Sequence, residues 1–280
     1  MIFYALHIAG EEDQRCQLLE SACRKLKIQF KQLDPYTYDF SKASPVKAGD
    51  IVYRVSRGKL LRFFEDFIVK KDTVTFNLYP LLHRPDAFLL EKQHISTPRT
   101  IFCATNDHED LLSYVKKVGG FPVVLKALGG TRGMGVIKID SVTSLFSIVD
   151  YLISQNKFVV MREFIPVKTS ARLIVLGDQV AASMEYVAGN HDFRTNQAKD
   201  PRVVPKKFAK NIEELAIKAT HAMGWEFGGV DVLINGKKAY VTEVNYPCNF
   251  VRAHKVLKKD VALEMVKYLQ QKSRKMKPAK

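Results

Sequence analysis

The sequence predicts an α/β protein with a parallel, Rossmann-like N-terminal domain followed by two further strand-rich units. Three observations carry that prediction. Apolar strand patterns alternate with amphipathic helix patterns over the first 82 residues, the signature of parallel strands joined by helical crossovers. A glycine-rich segment, Gly129 to Gly135, separates two apolar strand runs further on. Near the C-terminus, Gly228 to Asn249 (GGVDVLINGKKAYVTEVNYPCN) reads as a β-hairpin with carboxylates on its strands.

In chain order, Ile2 to Ile8 is an apolar strand, and Glu11 to Leu26 carries Leu18, Leu19, Ala22 and Leu26 at helical spacing. Ile28 to Leu33 and Asp50 to Val55 read as strands, Leu60 to Val69 as a helix, and Thr73 to Asn77 as a short strand. Asp86 to His94 is a short helix stopped by Ser96-Thr97-Pro98, and Thr100 to Ala104 is a strand. The helix Leu111 to Val118 ends at Gly119-Gly120, a C-terminal stop. Strands Phe121 to Lys126 and Val136 to Ile139 flank the glycine segment, and Ser141 caps a helix from Val142 to Ser154. Strand Phe158 to Ile165 leads into a hairpin, Ala171 to Leu176 with Gln179 to Val187, turning at Gly177-Asp178. A polar stretch from Ala188 to Pro205 precedes helix Ala209 to Met223, then the acidic hairpin and a last helix, Asp260 to Lys272. The expected division is 1–85, 86–165 and 166–280.

With 280 residues and 46% hydrophobic content, the chain can bury cores without disulfide staples. The N-terminal run lacks a basic region and meets acids by Glu11, so it reads as a strand rather than a signal peptide, and nothing approaches a transmembrane span. Cys16, Cys23, Cys103 and Cys248 form no CxxC pair, which suits reduced thiols in a cytoplasmic protein. The formal charge of +15, from 44 basic and 29 acidic residues, favours polyanionic partners such as nucleotides or acidic peptides. Nucleic acid is a weaker reading, because aromatics are not interleaved with the basic runs as a stacking platform needs.

The hairpin holds the chemistry. With a five-residue loop from Asn235 to Ala239, Ile234 pairs with Tyr240 and Asp231 faces Glu243. Strand alternation then sets Asn245 on the same face, giving three oxygen donors. Facing carboxylates repel unless a proton or cation separates them, and an oxygen-only set suits Mg²⁺ completed by substrate phosphates. A tighter turn at Asn235-Gly236 breaks this cluster and leaves an ordinary solvated hairpin. The segment Gly129 to Gly135 holds four glycines whose amides can cradle phosphate, although it is neither a P-loop nor a GxGxxG motif and a flexible turn is the plain alternative. Lys126, ending an apolar strand just before it, must find water or an anion.

Taken with these features, PVVLKALGGTRGMGV, VVMREFI, RLIVLGDQVAA, HDFRTN and GVDVLINGKKAYVTEVN make the chain resemble the ATP-grasp carboxylate-amine ligases, in the RimK-like branch near glutathione synthetase. That resemblance implies an α+β ATP-grasp fold: a central lid subdomain with the glycine-rich flap and a C-terminal subdomain with the metal site. It implies that Lys126 binds ATP phosphates while Gly130, Thr131, Gly133 and Gly135 close over them. Glu163, Phe164 and Ile165 would hold adenine, Asp231, Glu243 and Asn245 would carry Mg²⁺ or Mn²⁺, and Arg172, Arg194 and Asn196 would face the transferring phosphate.

The implied reaction joins a carboxylate, such as an amino acid, a peptide or an acidic protein tail, to an amine through an acyl phosphate, releasing ADP and phosphate. Two positions depart from the family pattern. Ala87 stands where a second ATP-contacting lysine is usual, and Ser170 stands where an acid binds ribose. They motivate an alternative, a non-catalytic ATP-binding regulatory protein on the same fold. Oligomeric state is left open by the sequence.

Overall fold

The computed structural model describes residues 1–8, 13–78, 86–127, 134–189, 192–195 and 202–276. Its strands form three sheets. The first contains β1 (Ile2–Leu6), β2 (Gln29–Leu33) and β3 (Ile51–Arg54) in the order β2-β1-β3, all parallel. Helix α1 (Gln14–Lys25) forms the crossover from β1 to β2, and α2 (Lys59–Ile68), which follows β3, packs Leu61, Phe64 and Ile68 against Tyr4, Leu6 and Val52 of the sheet. Asp13 caps α1, accepting from the Arg15 backbone amide at 2.8 Å. The expected strand over 73–77 is reduced to isolated bridges, Val74 to Ile51 and Asn77 to Trp225. Those few residues serve as a strap between units rather than as a ladder.

After α3 (Asp86–Lys92), the second sheet contains β4 (Thr100–Cys103), β5 (Val123–Ala127), β6 (Val136–Ile139) and β7 (Val159–Glu163), ordered β4-β7-β5-β6 and antiparallel. Helices α4 (His108–Val118) and α5 (Val142–Ser154) cover one face. Val123, Leu125, Ile139, Val159 and Met161 point at these helices and make their own core with Leu111, Val115, Leu145 and Val149. By alternation, Val124, Lys126, Lys138, Val160 and Arg162 share the opposite face. Gly119 takes a left-handed φ of 111° at the end of α4, as a C-terminal glycine does.

The third sheet is β10-β9-β8-β11-β12, from β8 (Thr169–Leu176), β9 (Gln179–Val187), β10 (Arg202–Pro205), β11 (Phe227–Asn235) and β12 (Lys238–Asn245). Helix α6 (Lys210–Ala222) lies on one side, where Ala171, Leu173, Val175, Val230, Val232 and Val244 pack against Ile212, Ala216 and Ala219. Toward the sheet's other side, Ile174, Phe227, Tyr246 and Cys248 join a core shared with Tyr53, Phe76 and α8 (Val261–Met276). Two elements are additional to those expected: β10, in a polar stretch with little alternation, and α7 (Val251–Leu257), a short helix directly after the hairpin.

The acidic hairpin of the candidate active site

Asp231 pairs with Glu243, and Gly229 with Asn245, so the three oxygen donors share one face of β11 and β12. The expected pairing is present, but the expected loop is not. Asn235 pairs with Lys238 and Ile234 with Ala239, leaving only Gly236-Lys237 as the turn, with Gly236 at φ 59°. Such a turn alone would place Thr242 opposite Asp231. A register shift between Asp231 and Val232 restores the cluster, because Thr242 is the extra residue of a β-bulge on β12. The Thr242 hydroxyl donates to the Asp231 carbonyl at 3.2 Å.

Two guanidiniums meet these oxygens. Arg172, directly across from Asp231 on β8, forks onto it with Nε to Oδ1 at 2.5 Å and Nη2 to Oδ2 at 2.7 Å. Asn245 Nδ2 donates to Asp231 Oδ2 and to the Gly229 carbonyl, both at 3.3 Å. Burial pushes the Asp231 carboxyl upward in pKa, Arg172 and Lys126 pull it down, and Glu243 pushes it up again; the net direction is upward. Burial disfavours the Arg172 charge, yet Asp231 holds that guanidinium above its ordinary range. Gly229 makes room for the fork: a Cβ there would lie 2.9 Å from Cys248 Cβ and 3.0 Å from Arg172 Nη1.

The second guanidinium is Arg57, from the loop between β3 and α2. Its Nη2 donates to Asn245 Oδ1, and its Nη1 lies 3.9 Å from Glu243 Oε1. The neighbouring Ser56 is buried and bonded to Arg15 Nη2 at 3.1 Å and Asp13 Oδ2 at 3.3 Å. Burial raises the Cys248 thiol to about 12 even though Arg172, Arg57 and Arg15 oppose it, which makes the thiol a packing residue rather than a nucleophile.

Lys126 lies on the face of β5 turned away from α4 and α5, near enough to act electrostatically on Asp231. Arg162, buried on the same face of β7, ties the two sheets by donating to Thr100 Oγ1 at 3.1 Å and to the Thr242 carbonyl at 3.0 Å. Glu163, ending β7, is engaged by Arg99 through Nε and Nη2, each at 3.0 Å, and those bonds hold its carboxyl below the usual range. Phe164 meets Phe193 edge-on at 6.2 Å with the Lys138 ammonium 5.2 Å from its ring centroid, and Ile165 is buried. Gly135, at φ 79°, accepts at its carbonyl from the Ala127 backbone N–H at 2.9 Å and closes the base of the β5–β6 connection. A separate cavity of about 640 Å³, lined by Ala171, Phe208, Ile212, Ile234 and Lys237, opens on the α6 side of the third sheet.

Arg194 is bonded to Asp192, with Nη2 to Oδ2 at 2.9 Å, and Thr195 donates to the buried Ser170 hydroxyl at 2.5 Å. Ser170, which stands where the family resemblance expects a ribose-binding acid, therefore anchors the 192–195 segment to β8. Gly130, Thr131, Gly133 and Asn196 lie outside the described residues. Arg57 and Arg162 escaped the sequence reading. Arg57 had a signal, a Ser-Arg-Gly segment at the carboxyl end of a parallel strand, where α/β folds place ligand contacts.

As a donor set, two carboxylates and an amide oxygen fit a hard divalent cation that takes its remaining ligands from water and phosphate. Among the described residues no three His, Cys, Asp or Glu side chains converge; the third oxygen on this face is that of the Asn245 amide. Residues 86–269 match the RimK-like ATP-grasp domain family.

The chain belongs to the RimK-like ATP-grasp family. It is 31% identical over 183 residues to a probable alpha-L-glutamate ligase of Rhodopirellula baltica, covering 65% of this chain and 45% of that protein. A counterpart in Psychromonas ingrahamii is 34% identical over 159 residues, covering 56% and 52%. The chain thus spans about half the length of these relatives. Among solved structures, the ATP-grasp ligase PsnB, complexed with a phosphomimetic variant of its minimal precursor, Mg and ADP, superposes with a TM-score of 0.72 at 16% identity, covering 97% of this chain and 98% of that one. D-alanine–D-alanine ligase from Bacillus anthracis gives 0.68 at 14% identity over 98% and 99%. At such identities the likeness is one of fold, and the fold is that of the ATP-grasp ligases. Among the described residues, no helix is long and apolar enough to cross a membrane.

Proposed function

We propose that this RimK-like protein is an ATP-dependent carboxylate-amine ligase. One observation supports that reading above the others: Asp231, Glu243 and Asn245 share a face that lies within electrostatic reach of Lys126 on a second sheet. ATP-grasp chemistry needs such a cleft, with positive charge for the phosphates on one wall and oxygen ligands on the other. In this reading the chain divides at 1–85, 86–165 and 166–280, with nucleotide held between the second and third units.

Lys126 binds the phosphates, and the segment with Gly130, Thr131, Gly133 and Gly135 covers them and excludes water. Glu163, Phe164 and Ile165 border the adenine. Arg172 holds Asp231 in orientation through its fork and so acts as a positioning residue, while Arg194 and Asn196 face the transferring phosphoryl group. Mg²⁺, or Mn²⁺ in its place, held by Asp231, Glu243 and Asn245, would supply charge neutralisation for that group. A carboxylate oxygen attacks the γ-phosphorus and ADP departs. A neutral amine then attacks the acyl carbon, phosphate departs, and the nitrogen sheds its extra proton to water.

By analogy with relatives named alpha-L-glutamate ligases, L-glutamate is the first amino acid to try, and peptides or protein tails are the wider class. A cytoplasmic location suits an ATP-consuming enzyme with reduced cysteines. The test is ADP release from Mg-ATP with L-glutamate and pooled amino acids and acidic peptides, read by mass spectrometry beside Glu243→Ala. The expected result is a product of mass acid plus amine minus water, absent in the variant. ADP release unaffected by Glu243→Ala would overturn the assignment.

The binding-only alternative draws on Ser170, whose hydroxyl is engaged by Thr195, and on Ala87. Tight ATP binding with no product from any acid–amine pair would favour it.

A further inference from the structure

Arg57 has no role in the reading above, yet it touches two of the three oxygen donors. Its loop is packed at Ser56 and opens to space at Gly58. Ser56 is buried and bonded to Arg15 and Asp13, whereas Gly58, at φ 146°, has nothing within 4 Å of where a Cβ would stand. The Arg57 side chain is 56% exposed and Glu243 45%, in contrast to the enclosed Arg172 fork. So Arg172 approaches the cluster from within the sheet, and Arg57 approaches it from the open side, the side by which a cation would enter.

We infer that Arg57 is a displaceable counter-ion: it occupies the open side of Glu243 and Asn245 and yields that place when the metal–nucleotide complex binds. The inference rests on the metal-site reading above. A guanidinium at Asn245 Oδ1 uses the lone-pair side that a divalent cation needs, and two cations cannot share it. An exposed pair is weak enough to be broken, since its charges stay largely hydrated. Once displaced, Arg57 remains tethered through Ser56 beside the same cleft.

The experiment titrates the full chain with Mn²⁺ in saturating AMPPNP, following free Mn²⁺ by electron paramagnetic resonance, for wild type, Arg57→Ala, Arg57→Lys and Glu243→Gln. Arg57→Ala should bind Mn²⁺ about 2- to 5-fold more tightly than wild type, the fold-change set by the typical strength of an exposed ion pair. Arg57→Lys, which keeps the charge without the fork, should fall between them. The gain should shrink at high salt, where exposed charges are screened. Equal or weaker Mn²⁺ binding in Arg57→Ala, with at least a tenfold loss in Glu243→Gln, would overturn the counter-ion role and leave the metal site standing. Unchanged binding in Glu243→Gln would overturn the metal-site reading, and the counter-ion role with it.

Discussion

Arg172 and Arg57 grip the same hairpin, and burial separates what they do. Arg172 is 16% exposed and forks onto an Asp231 side chain that is 6% exposed, so either charge alone would be stranded. Arg57 and Glu243 are each about half in water and lose little by parting. The comparison teaches that an arginine beside a carboxylate is a fixture where water is excluded and a movable part where it is not.

That contrast can be broken most forcefully at Arg172. Arg172→Met leaves a buried, unpaired carboxylate and should destabilise the protein by about 3–5 kcal/mol in urea unfolding. A loss below ~1 kcal/mol would mean the fork is as dispensable as an exposed pair. Gly229→Ala sharpens the same point more gently. Its Cβ would press on Cys248 Cβ at 2.9 Å and on Arg172 Nη1 at 3.0 Å, and overpacking of this kind costs about 1–3 kcal/mol. The loss should come with weaker Mn²⁺ binding, because the Asp231 orientation shifts too.

The smallest effect belongs to a third pair, Arg99–Glu163, more exposed than the Arg172 fork and tied to backbone as well. Arg99 lowers the Glu163 pKa, so the stabilisation is present above the ordinary carboxylate range and lost as pH falls through the lowered value. Melting curves of wild type and Glu163→Gln should therefore differ slightly at neutral pH and converge in acid. A gap that widens in acid would show that the pair does not act through charge.

Much of the fold was legible because period and punctuation agree. The Ser141 cap, the left-handed Gly119 and the apolar runs of β5, β7 and β8 each say one thing locally and the same thing globally. The pairing of Asp231 with Glu243 was also legible, but for an incomplete reason. The sequence suggested a long loop, whereas a two-residue turn and a bulge at Thr242 reach the same pairing. Nothing in the Tyr240 to Asn245 run marks a bulge, since β-branched residues suit a regular ladder equally well. Nor could sequence show that Ser170 serves Thr195, or that Arg57 reaches across from the first unit: its partners Glu243 and Asn245 lie more than 180 residues away. β10 was missed because a short edge strand carries little periodic signal.

The bulge has an engineering consequence. Lying between the hairpin tip and the carboxylates, it is the point at which register is set, with Thr242 bonded to the Asp231 carbonyl and Arg162 bonded to the Thr242 carbonyl. The Gly236-Lys237 tip is thus insulated from the oxygen cluster: a graft or fluorophore attachment sequence inserted there changes the outline of the protein while the acids keep their partners.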